Sequence, residues 1–240
     1  MSNGMVKRLA RNNAGSDWIV GDIHGTFGKL QAALDEHGFR PESGDRLISV
    51  GDLVDRGPES HLALEWLAKP WFHAVRGNHE QMAIEFAAGS GDAWTYQVNG
   101  GQWFLDLTDG RQRTFAKAFS EMPVAIEIET TEGLVGVVHA ECPFPAWADF
   151  TDSLVDESLS LRMADAILEA AMWSRERITR NEDTVLLDVR AVVVGHTPME
   201  KSVWCGNHIY IDTMGWRRGH FTLLDAETLA PAYAKRLSFA

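Results

Sequence analysis

The sequence predicts an α/β fold in which two mixed β-sheets are flanked by helices. In the first half of the 240-residue chain, short apolar runs alternate with helical patterns, which is typical of βαβ units. In the second half, strand patterns predominate and follow one another more closely. No repeat or low-complexity linker separates the halves, so one mixed two-sheet domain is the simplest packing.

The predicted strands are short apolar or β-branched runs bounded by glycine or by charged residues. Thr131-Glu132-Gly133 separates two of them and predicts a hairpin turn. The predicted strands are Trp18–Val20, Leu47–Val50, His73–Val75, Val124–Glu129, Leu134–His139, Ala191–Val194, Ile209–Ile211 and Phe221–Leu224.

Apolar residues at helical spacing predict the helices. The first helix carries Phe27 to Leu34 and stops at Gly38, and the second opens at Pro58 and closes before Pro70. The third is expected over residues 80–88. Two further helices are indicated by Phe115, Phe119 and Met122, and by Leu161, Ala164, Ile167, Leu168 and Ala171.

Composition and patterning set the expected boundaries and compartment. We expect a polar N-terminal segment over residues 1–17 and a single domain over residues 18–240. No apolar stretch approaches the roughly 20 residues that cross a bilayer. The two cysteines, Cys142 and Cys205, provide no disulfide framework. The cytoplasm is therefore the expected compartment, without a membrane partner, and a monomer is the default state.

The net charge of -12 argues against a protein that coats nucleic acid, because such proteins need a basic surface. Any affinity for phosphate must then be local. Arg56 and Arg76 lie inside conspicuous polar motifs, which predicts a small positive pocket in an acidic shell.

Five polar motifs stand where predicted strands end. Because ligands bind at the carboxyl edge of open α/β sheets, we expect these motifs to form one site. The motifs are Gly-Asp-Ile-His-Gly at Gly21–Gly25, Gly-Asp-Leu-Val-Asp-Arg-Gly at Gly51–Gly57, Gly-Asn-His-Glu at Gly77–Glu80, His139-Ala140, and Gly195-His196.

The motifs supply carboxylates, imidazoles and one carboxamide, and neither cysteine falls inside them. These oxygen and nitrogen donors suit manganese, iron or zinc. Two such ions about 3.5–4 Å apart can clamp an in-line displacement and generate hydroxide from a shared water near neutral pH. A carboxylate must bridge them, and Asp52 is the predicted bridge.

The first three motifs, in this order and with Arg76 before the third, resemble those of the metallophosphoesterases. More closely, the chain resembles the phosphoprotein phosphatases of the bacteriophage lambda type and their bacterial relatives. Further local matches support this resemblance, which covers residues 18–224. They are Asn99-Gly100-Gly101, Trp173-x-Arg175-Glu176-Arg177-Ile178, Gly195-His196-Thr197-Pro198 and Tyr210-Ile211-Asp212-Thr213.

The resemblance implies a four-layer α/β/β/α sandwich and two divalent ions, with Mn²⁺ preferred and Zn²⁺, Fe²⁺ or Ni²⁺ as alternatives. The implied ligands of the first ion are Asp22, His24 and Asp52, and those of the second are Asp52, Asn78, His139 and His196. The resemblance also makes His79 the general acid, oriented by Asp55. The implied phosphate-gripping residues are Arg56, Arg76 and Arg175.

The implied activity is hydrolysis of phosphoserine and phosphothreonine monoesters, with phosphotyrosine as a further substrate, by attack of a metal-bridging hydroxide. The implied partner is therefore a phosphoprotein or phosphopeptide. Two alternatives stay open: a dinucleoside polyphosphate or other small-molecule phosphoesterase of the same fold, and a metal-binding interaction module without catalysis. Asp55 and Glu80 favour the protein phosphatase branch, because symmetrical diadenosine tetraphosphate hydrolases resemble Gly-Asp-Leu-Val-Ala-Arg-Gly and Gly-Asn-His-Asp at these motifs.

One position departs from the resemblance. Relatives carry Ile-Asp-Thr-Gly, whereas here Thr213 is followed by Met214 and only then by Gly215. Because glycine at such a place permits a positive φ, we expect the turn to shift onto Gly215. Met214 and Trp216 would then form an apolar edge beside the site.

Overall fold

The computed structural model describes residues 4–233. Within that range, a six-stranded sheet has the strand order β1-β5-β6-β7-β9-β8, and a five-stranded sheet has the order β11-β10-β2-β3-β4. The strands are β1 (Val6–Leu9), β2 (Asp17–Val20), β3 (Arg46–Ser49), β4 (Phe72–Ala74), β5 (Ala125–Thr130), β6 (Gly133–Val138), β7 (Ala191–Val194), β8 (Val203–Cys205), β9 (His208–Tyr210), β10 (Thr222–Asp225) and β11 (Pro231–Tyr233).

Helices cover the outer face of each sheet. Short 3₁₀ turns at Pro41–Ser43 and Ser60–Leu62 and a π turn at Gln97–Gly101 connect some of them. The helices are α1 (Phe27–His37), α2 (Ala63–Leu67), α3 (Asn78–Ala87), α4 (Ala93–Tyr96), α5 (Gln102–Leu105), α6 (Asp109–Ser120), α7 (Trp147–Val155), α8 (Leu161–Trp173) and α9 (Glu176–Arg180).

Three apolar clusters fill the spaces between the layers. Phe27 and Leu30 of α1 pack against the outer face of the five-stranded sheet. Ile48 and Val193 meet between the sheets, and Trp147 of α7 covers the outer face of the six-stranded sheet. The sequence of β7 is apolar throughout because its residues point alternately into the cluster between the sheets and into the cluster under α7. The predicted fold of two mixed sheets flanked by helices is confirmed.

Parallel pairing brings the site motifs to one edge. Strands β2, β3 and β4 run parallel in one sheet, and β6, β7 and β9 run parallel in the other. Every predicted strand is present within one or two residues of its expected bounds. Among the described residues, no helix is long and apolar enough to cross a membrane.

Several elements differ from the prediction. Strand β1 lies inside the expected polar N-terminal segment, where it pairs with β5, and Arg8 forms a 2.6 Å ion pair with Glu127. The second helix does not open at Pro58, because Ser60 Oγ accepts the Asp55 N–H and this part of the chain stays a loop until Ser60. The third helix begins at Asn78 rather than at residue 80, so that Asn78 and His79 lie in its first turn.

Candidate metal centre and active site

The carboxyl edge of the two sheets gathers all six predicted metal ligands. Asp22 and His24 follow β2, Asp52 follows β3, and Asn78 opens α3 just after β4. From the other sheet, His139 follows β6 and His196 follows β7. All six side chains are buried, although they are polar. Buried polar groups need partners, and here the partners are mainly one another.

The loops of this edge adopt unusual backbone conformations. Among the described residues, eight non-glycine residues have a positive φ, and six of them lie in these loops. The left-handed region costs a non-glycine residue roughly 1–2 kcal/mol, so that such a concentration marks a functional site rather than a neutral connection. The six residues are His24, Asp52, Asp55, Arg56, His196 and Met214.

Asp52 lies between two groups of donors, as its predicted bridging role requires. Its Oδ2 is 3.6 Å from His24 Nε2, and its Oδ1 is 3.4 Å from His139 Nε2. The Asp52 carboxylate belongs to two sets of donor atoms, one with His24 and His79 and the other with His139 and His196. Within each set, all donor atoms lie within 4.8 Å of one another. Gly77 must lack a side chain, because a Cβ there would collide with the Asp52 carboxylate.

The remaining predicted ligands complete these groups. Asn78 Oδ1 is 2.9 Å from His139 Nε2 and 3.0 Å from His196 Nδ1. Asp22 Oδ2 is 3.8 Å from His24 Nε2, and the Asp22 carboxylate accepts the backbone N–H of His196 at 3.1 Å. The Asp22 carboxylate and the His196 backbone therefore join the loops that follow β2 and β7.

Backbone carbonyls orient three of the imidazoles. His24 Nδ1 is 2.9 Å from the Val54 carbonyl oxygen, and His139 Nδ1 is 2.7 Å from that of Val50. His196 uses its other nitrogen, with Nε2 3.2 Å from the Trp173 carbonyl oxygen. A carbonyl can only accept, so each of these nitrogens carries a proton and leaves the opposite ring nitrogen facing the shared site. This is the usual support of metal-binding histidines, and the residues present fit divalent ions.

The electrostatics of the cluster are those of a cation site. Burial alone would raise the pKa of Asp52, but the imidazoles of His139, His79 and His24 hold it well below its usual value. Burial raises the pKa of Asp22 well above its usual value, and the negative charges of Asp212 and Asp52 raise it further. Neighbouring carboxylates at this density are stabilised when cations bind among them.

Burial and the neighbouring charges shift the pKa values of the imidazoles in different directions. Burial lowers the pKa of His24 well below its usual value and that of His196 to about 3, so both are neutral and able to ligate. Burial would also lower the pKa of His139, but Asp52 raises it to about 9. A cation that took the place of the His139 proton would therefore release that proton to solvent.

His79 and Asp55 form a buried pair beside the cluster. His79 Nδ1 lies 2.6 Å from Asp55 Oδ2, and His79 Nε2 lies 3.8 Å from Asp52 Oδ2. Asp55 Oδ1 accepts hydrogen bonds from Trp103 Nε1 at 2.6 Å and from the Tyr96 hydroxyl at 3.3 Å. The carboxylate is thus fixed by three donors, and the imidazole presents Nε2 to the site.

The three predicted arginines occupy different environments. Arg56 lies at the mouth of the site, where its Nη1 is 2.7 Å from His24 Nε2 and its Nη2 is 3.1 Å from His79 Nε2. Arg175 Nη2 donates to the His196 carbonyl oxygen at 3.2 Å. Arg56 and Arg175 are both exposed.

The structure does not bring the Arg76 side chain to this group, although the resemblance implies that it grips phosphate. Its Nη1 donates to Gln81 Oε1 at 3.1 Å and its Nη2 contacts the Met5 sulfur at 3.5 Å. The backbone N–H of Arg76 is bound to the Pro123 carbonyl oxygen at 2.7 Å, so the residue faces the segment beside β1 and β5. Position inside a motif did not determine the direction of the side chain.

Residues 18–214 match the calcineurin-like phosphoesterase family. The chain belongs to this family. Calcineurin-like phosphoesterases use a binuclear divalent metal centre, for which the groups around Asp52 supply the donors.

Sequence relatives of this phosphoesterase include named protein phosphatases. It is 35% identical over 203 residues to Serine/threonine-protein phosphatase 2 of Escherichia coli, covering 82% of this chain and 86% of the relative. It is also 35% identical over 222 residues to Serine/threonine-protein phosphatase 1 of Salmonella typhimurium, covering 91% of this chain and 95% of the relative.

A solved structure described as a candidate diadenosine tetraphosphatase has the same fold. It superimposes with a TM-score of 0.63 at 22% identity, covering 96% of this chain and 97% of that structure. At this identity the likeness concerns the fold alone. The phosphoesterase activity and the enzyme class thus follow from the family and its relatives.

Sequence reasoning missed several residues of the phosphoesterase site. Asp212 follows β9 and is buried, and the strand-end rule that identified the other motifs would have found it. Burial raises the pKa of Asp212 to about 6, opposed by hydrogen bonds from Met214 and Trp216. Trp103 and Tyr96 carry no local signal, because they reach Asp55 from a separate helical segment.

The turn after β9 differs from expectation. Met214 itself adopts the left-handed conformation with φ 56°, and the turn does not shift onto Gly215. Gly215 has no room for a side chain, because a Cβ there would lie 2.5 Å from the Phe221 ring. The Met214 conformation is stabilised by its N–H, which donates to Asp212 Oδ1 at 3.0 Å.

Proposed function

We propose that this phosphoesterase is a metal-dependent phosphoprotein phosphatase acting on phosphoserine and phosphothreonine monoesters. The observation that carries the proposal is the buried His79–Asp55 pair, 2.6 Å apart, beside the Asp52 cluster. An alkyl phosphate has a poor leaving group, so its hydrolysis gains from a positioned acid. The names of the two sequence relatives agree with this substrate class.

The donor groups that share Asp52 would hold two divalent ions. The first would be bound by Asp22, His24 and Asp52, and the second by Asp52, Asn78, His139 and His196. When bound, these ions supply positive charge for the phosphoryl group and make water acidic enough to act as a nucleophile near neutral pH. The donor set contains only oxygen and nitrogen atoms, and Mn²⁺ is the ion we expect.

His79 is the proton donor to the leaving oxygen. Its Nδ1 is committed to Asp55, so Nε2 is the atom that holds the transferred proton. Asp55 stabilises the charged imidazole, and its other oxygen is kept in place by Trp103 and Tyr96. The acid is therefore oriented before any substrate arrives.

Arg56 and Arg175 bind the phosphoryl oxygens. Phosphoryl transfer depends largely on positioning and electrostatic stabilisation, and the planar guanidinium matches phosphate oxygens. Arg56 already directs both Nη atoms into the space between His24 and His79. Arg175 lies on the opposite side, against the loop of His196.

The test is a phosphatase assay on metal-stripped protein with Mn²⁺, Zn²⁺, Fe²⁺ or Ni²⁺ added back separately. Phosphoserine and phosphothreonine peptides are compared with diadenosine tetraphosphate at equal concentrations. We expect metal-dependent release of phosphate from the peptides at a kcat/KM well above that for the dinucleotide. Preferred cleavage of diadenosine tetraphosphate would replace the proposal with a dinucleoside polyphosphate hydrolase, and inactivity on all substrates at full metal occupancy would indicate a binding module.

A further inference from the structure

The loop of residues 214–220, here called the Trp216 loop, is a closed and well-supported turn beside the site. Met214 and His220 form a β-bridge. The Met214 carbonyl oxygen accepts the N–H groups of Arg217 and Gly219, each at 2.9 Å. At its base, Thr213 Oγ1 donates to the His220 carbonyl oxygen at 2.6 Å. The loop therefore presents its side chains from a fixed backbone.

Trp216 extends from this loop to three residues of the site. Its Nε1 lies 3.3 Å from Oδ1 of Asp212, which is only 1% exposed. Its ring meets that of His24 edge to face, with centroids 4.9 Å apart and planes at 77°. The Arg56 guanidinium carbon lies over the indole, 4.8 Å from the ring centroid.

We propose that Trp216 is a positioning residue for Arg56, held by Asp212 and directing the Arg56 guanidinium at the bound phosphoryl group. The proposal rests on the function proposed above, in which Arg56 binds phosphate. It assigns to the Trp216 loop a part in the affinity for phosphate, which the motifs of the chain do not indicate.

The physical reason lies in the exposure of Arg56. An exposed arginine has many rotamers, and ordering it on substrate binding costs conformational entropy. The backbone of Arg56 is already fixed, with a φ of 65° and its N–H directed at the Gly100 carbonyl oxygen at 3.4 Å. The indole face completes this support, because it attracts the cation while Nη1 and Nη2 face the His24 and His79 imidazoles.

Asp212 determines where the indole lies. Its Oδ1 accepts from both the Met214 N–H at 3.0 Å and Trp216 Nε1 at 3.3 Å, so one buried oxygen fixes the backbone and the ring together. Asp212 would thus act on Arg56 through Trp216. Among the described residues, its other oxygen, Oδ2, is buried and has no hydrogen-bond partner.

The experiment measures binding of inorganic phosphate to Mn²⁺-loaded protein by calorimetry, together with phosphate inhibition of p-nitrophenyl phosphate hydrolysis. The variants are Trp216→Leu, Trp216→Phe, Arg56→Ala and the Arg56→Ala/Trp216→Leu double variant. Trp204→Leu is the matched control, because Trp204 is 51% exposed on the edge strand β8. Elemental analysis gives the metal content of every variant.

We expect Trp216→Leu to weaken phosphate binding about tenfold, which corresponds to about 1.4 kcal/mol. Trp216→Phe keeps an aromatic face but loses the Nε1 hydrogen bond to Asp212, so its loss should lie between that of Trp216→Leu and the wild-type value. In the Arg56→Ala background, Trp216→Leu should change the phosphate affinity by less than about twofold, because its effect passes through Arg56. The control should bind phosphate like the wild type.

Independent losses that multiply in the double variant would overturn the proposal, and so would an unchanged affinity in Trp216→Leu. Loss of bound metal in both Trp216 variants would also overturn it, because the indole would then support His24 rather than Arg56. The proposed function fails separately: wild-type protein that binds phosphate but does not hydrolyse phosphopeptides refutes the phosphatase assignment and leaves the binding comparison intact.

Discussion

Replacement of Asp55 by asparagine changes one charge at the acid pair and little else. Asp55 Oδ2 faces His79 Nδ1 at 2.6 Å, while Oδ1 accepts from Trp103 Nε1 at 2.6 Å. An asparagine has one acceptor oxygen and one NH₂ group. Indole N–H can only donate, so the oxygen should stay with Trp103 and the NH₂ group should turn to His79. The imidazole would then lose both the charge and the acceptor that support its protonated form.

The size of the effect follows from the distance. With the contacting atoms 2.6 Å apart, the charge centres of the imidazolium and the carboxylate are taken as about 4 Å apart, and at an effective dielectric constant of about 20 they interact by about 4 kcal/mol. Since about 1.4 kcal/mol is a factor of ten, roughly 10³ is the ceiling for the loss. Asp55→Asn should therefore lower kcat for a phosphoserine peptide by roughly 10–10³, somewhat less than the roughly 10²–10⁴ expected on deleting the acid in His79→Asn.

The assay is a leaving-group series at saturating Mn²⁺: phosphoserine peptide, phenyl phosphate and p-nitrophenyl phosphate. The loss in Asp55→Asn should shrink along the series, because better leaving groups need less protonation. Asp106→Asn is the control, since Asp106 is exposed and its side chain accepts a hydrogen bond from Gln102 of the adjacent helix α5. An equal loss on all three substrates would refute the acid role of the pair.

Four further outcomes are expected. Asp52→Asn should remove both ions in elemental analysis, because its carboxylate faces both donor groups. Arg76→Gln should leave the phosphate inhibition constant within about twofold, whereas Arg56→Ala should raise it about tenfold or more. Burial lowers the pKa of His208 from 6.5 to about 3, so the stability that the neutral ring contributes is lost as the pH falls from about 6.5 towards 3. Between about pH 7.5 and 5 this group should lower the free energy of unfolding of the wild type by about 2 kcal/mol, and in urea unfolding His208→Gln should not show that part of the decrease. Met214→Gly should keep p-nitrophenyl phosphate turnover within about threefold, because Met214 supports a turn rather than the reacting atoms.

The positions of the strands and of the predicted ligands could be inferred from the sequence for one shared reason. Ala191–Val194 is apolar throughout because both faces of β7 are covered, and the polar residues that follow such a strand emerge at the sheet edge. The same reasoning placed Asp52 after β3, and the structure gives it the expected position between two donor groups. Burial pattern and strand end together carry enough information to identify which residues meet.

The local sequence does not indicate the direction in which a side chain points. Arg76 and Asn78 are two residues apart, yet Asn78 turns to the histidines while Arg76 turns to Gln81 and Met5. Arg76 lies in the loop between β4 and α3, whereas Asn78, which follows the N-cap Gly77, lies in the first turn of α3. Trp103 was equally unpredictable, since its hydrogen bond to Asp55 spans 48 residues and depends on the packing of a π turn.

The backbone of the site departs furthest from what local preference predicts, and long-range hydrogen bonds explain how it persists. His24 and Asp52 both have a positive φ, and the His24 N–H donates to the Asp52 carbonyl oxygen at 2.8 Å. Glu80 then accepts the N–H groups of Asp52, Leu53 and Gly77 at 2.8–3.0 Å, joining two motif loops through one buried carboxylate. Such bonds offset a local cost of roughly 1–2 kcal/mol per strained residue. The buried Glu80 carboxylate therefore ties the loop that carries Asp52 to the N-terminus of α3, where Asn78 lies, and this cross-link holds the strained Asp52 backbone in position.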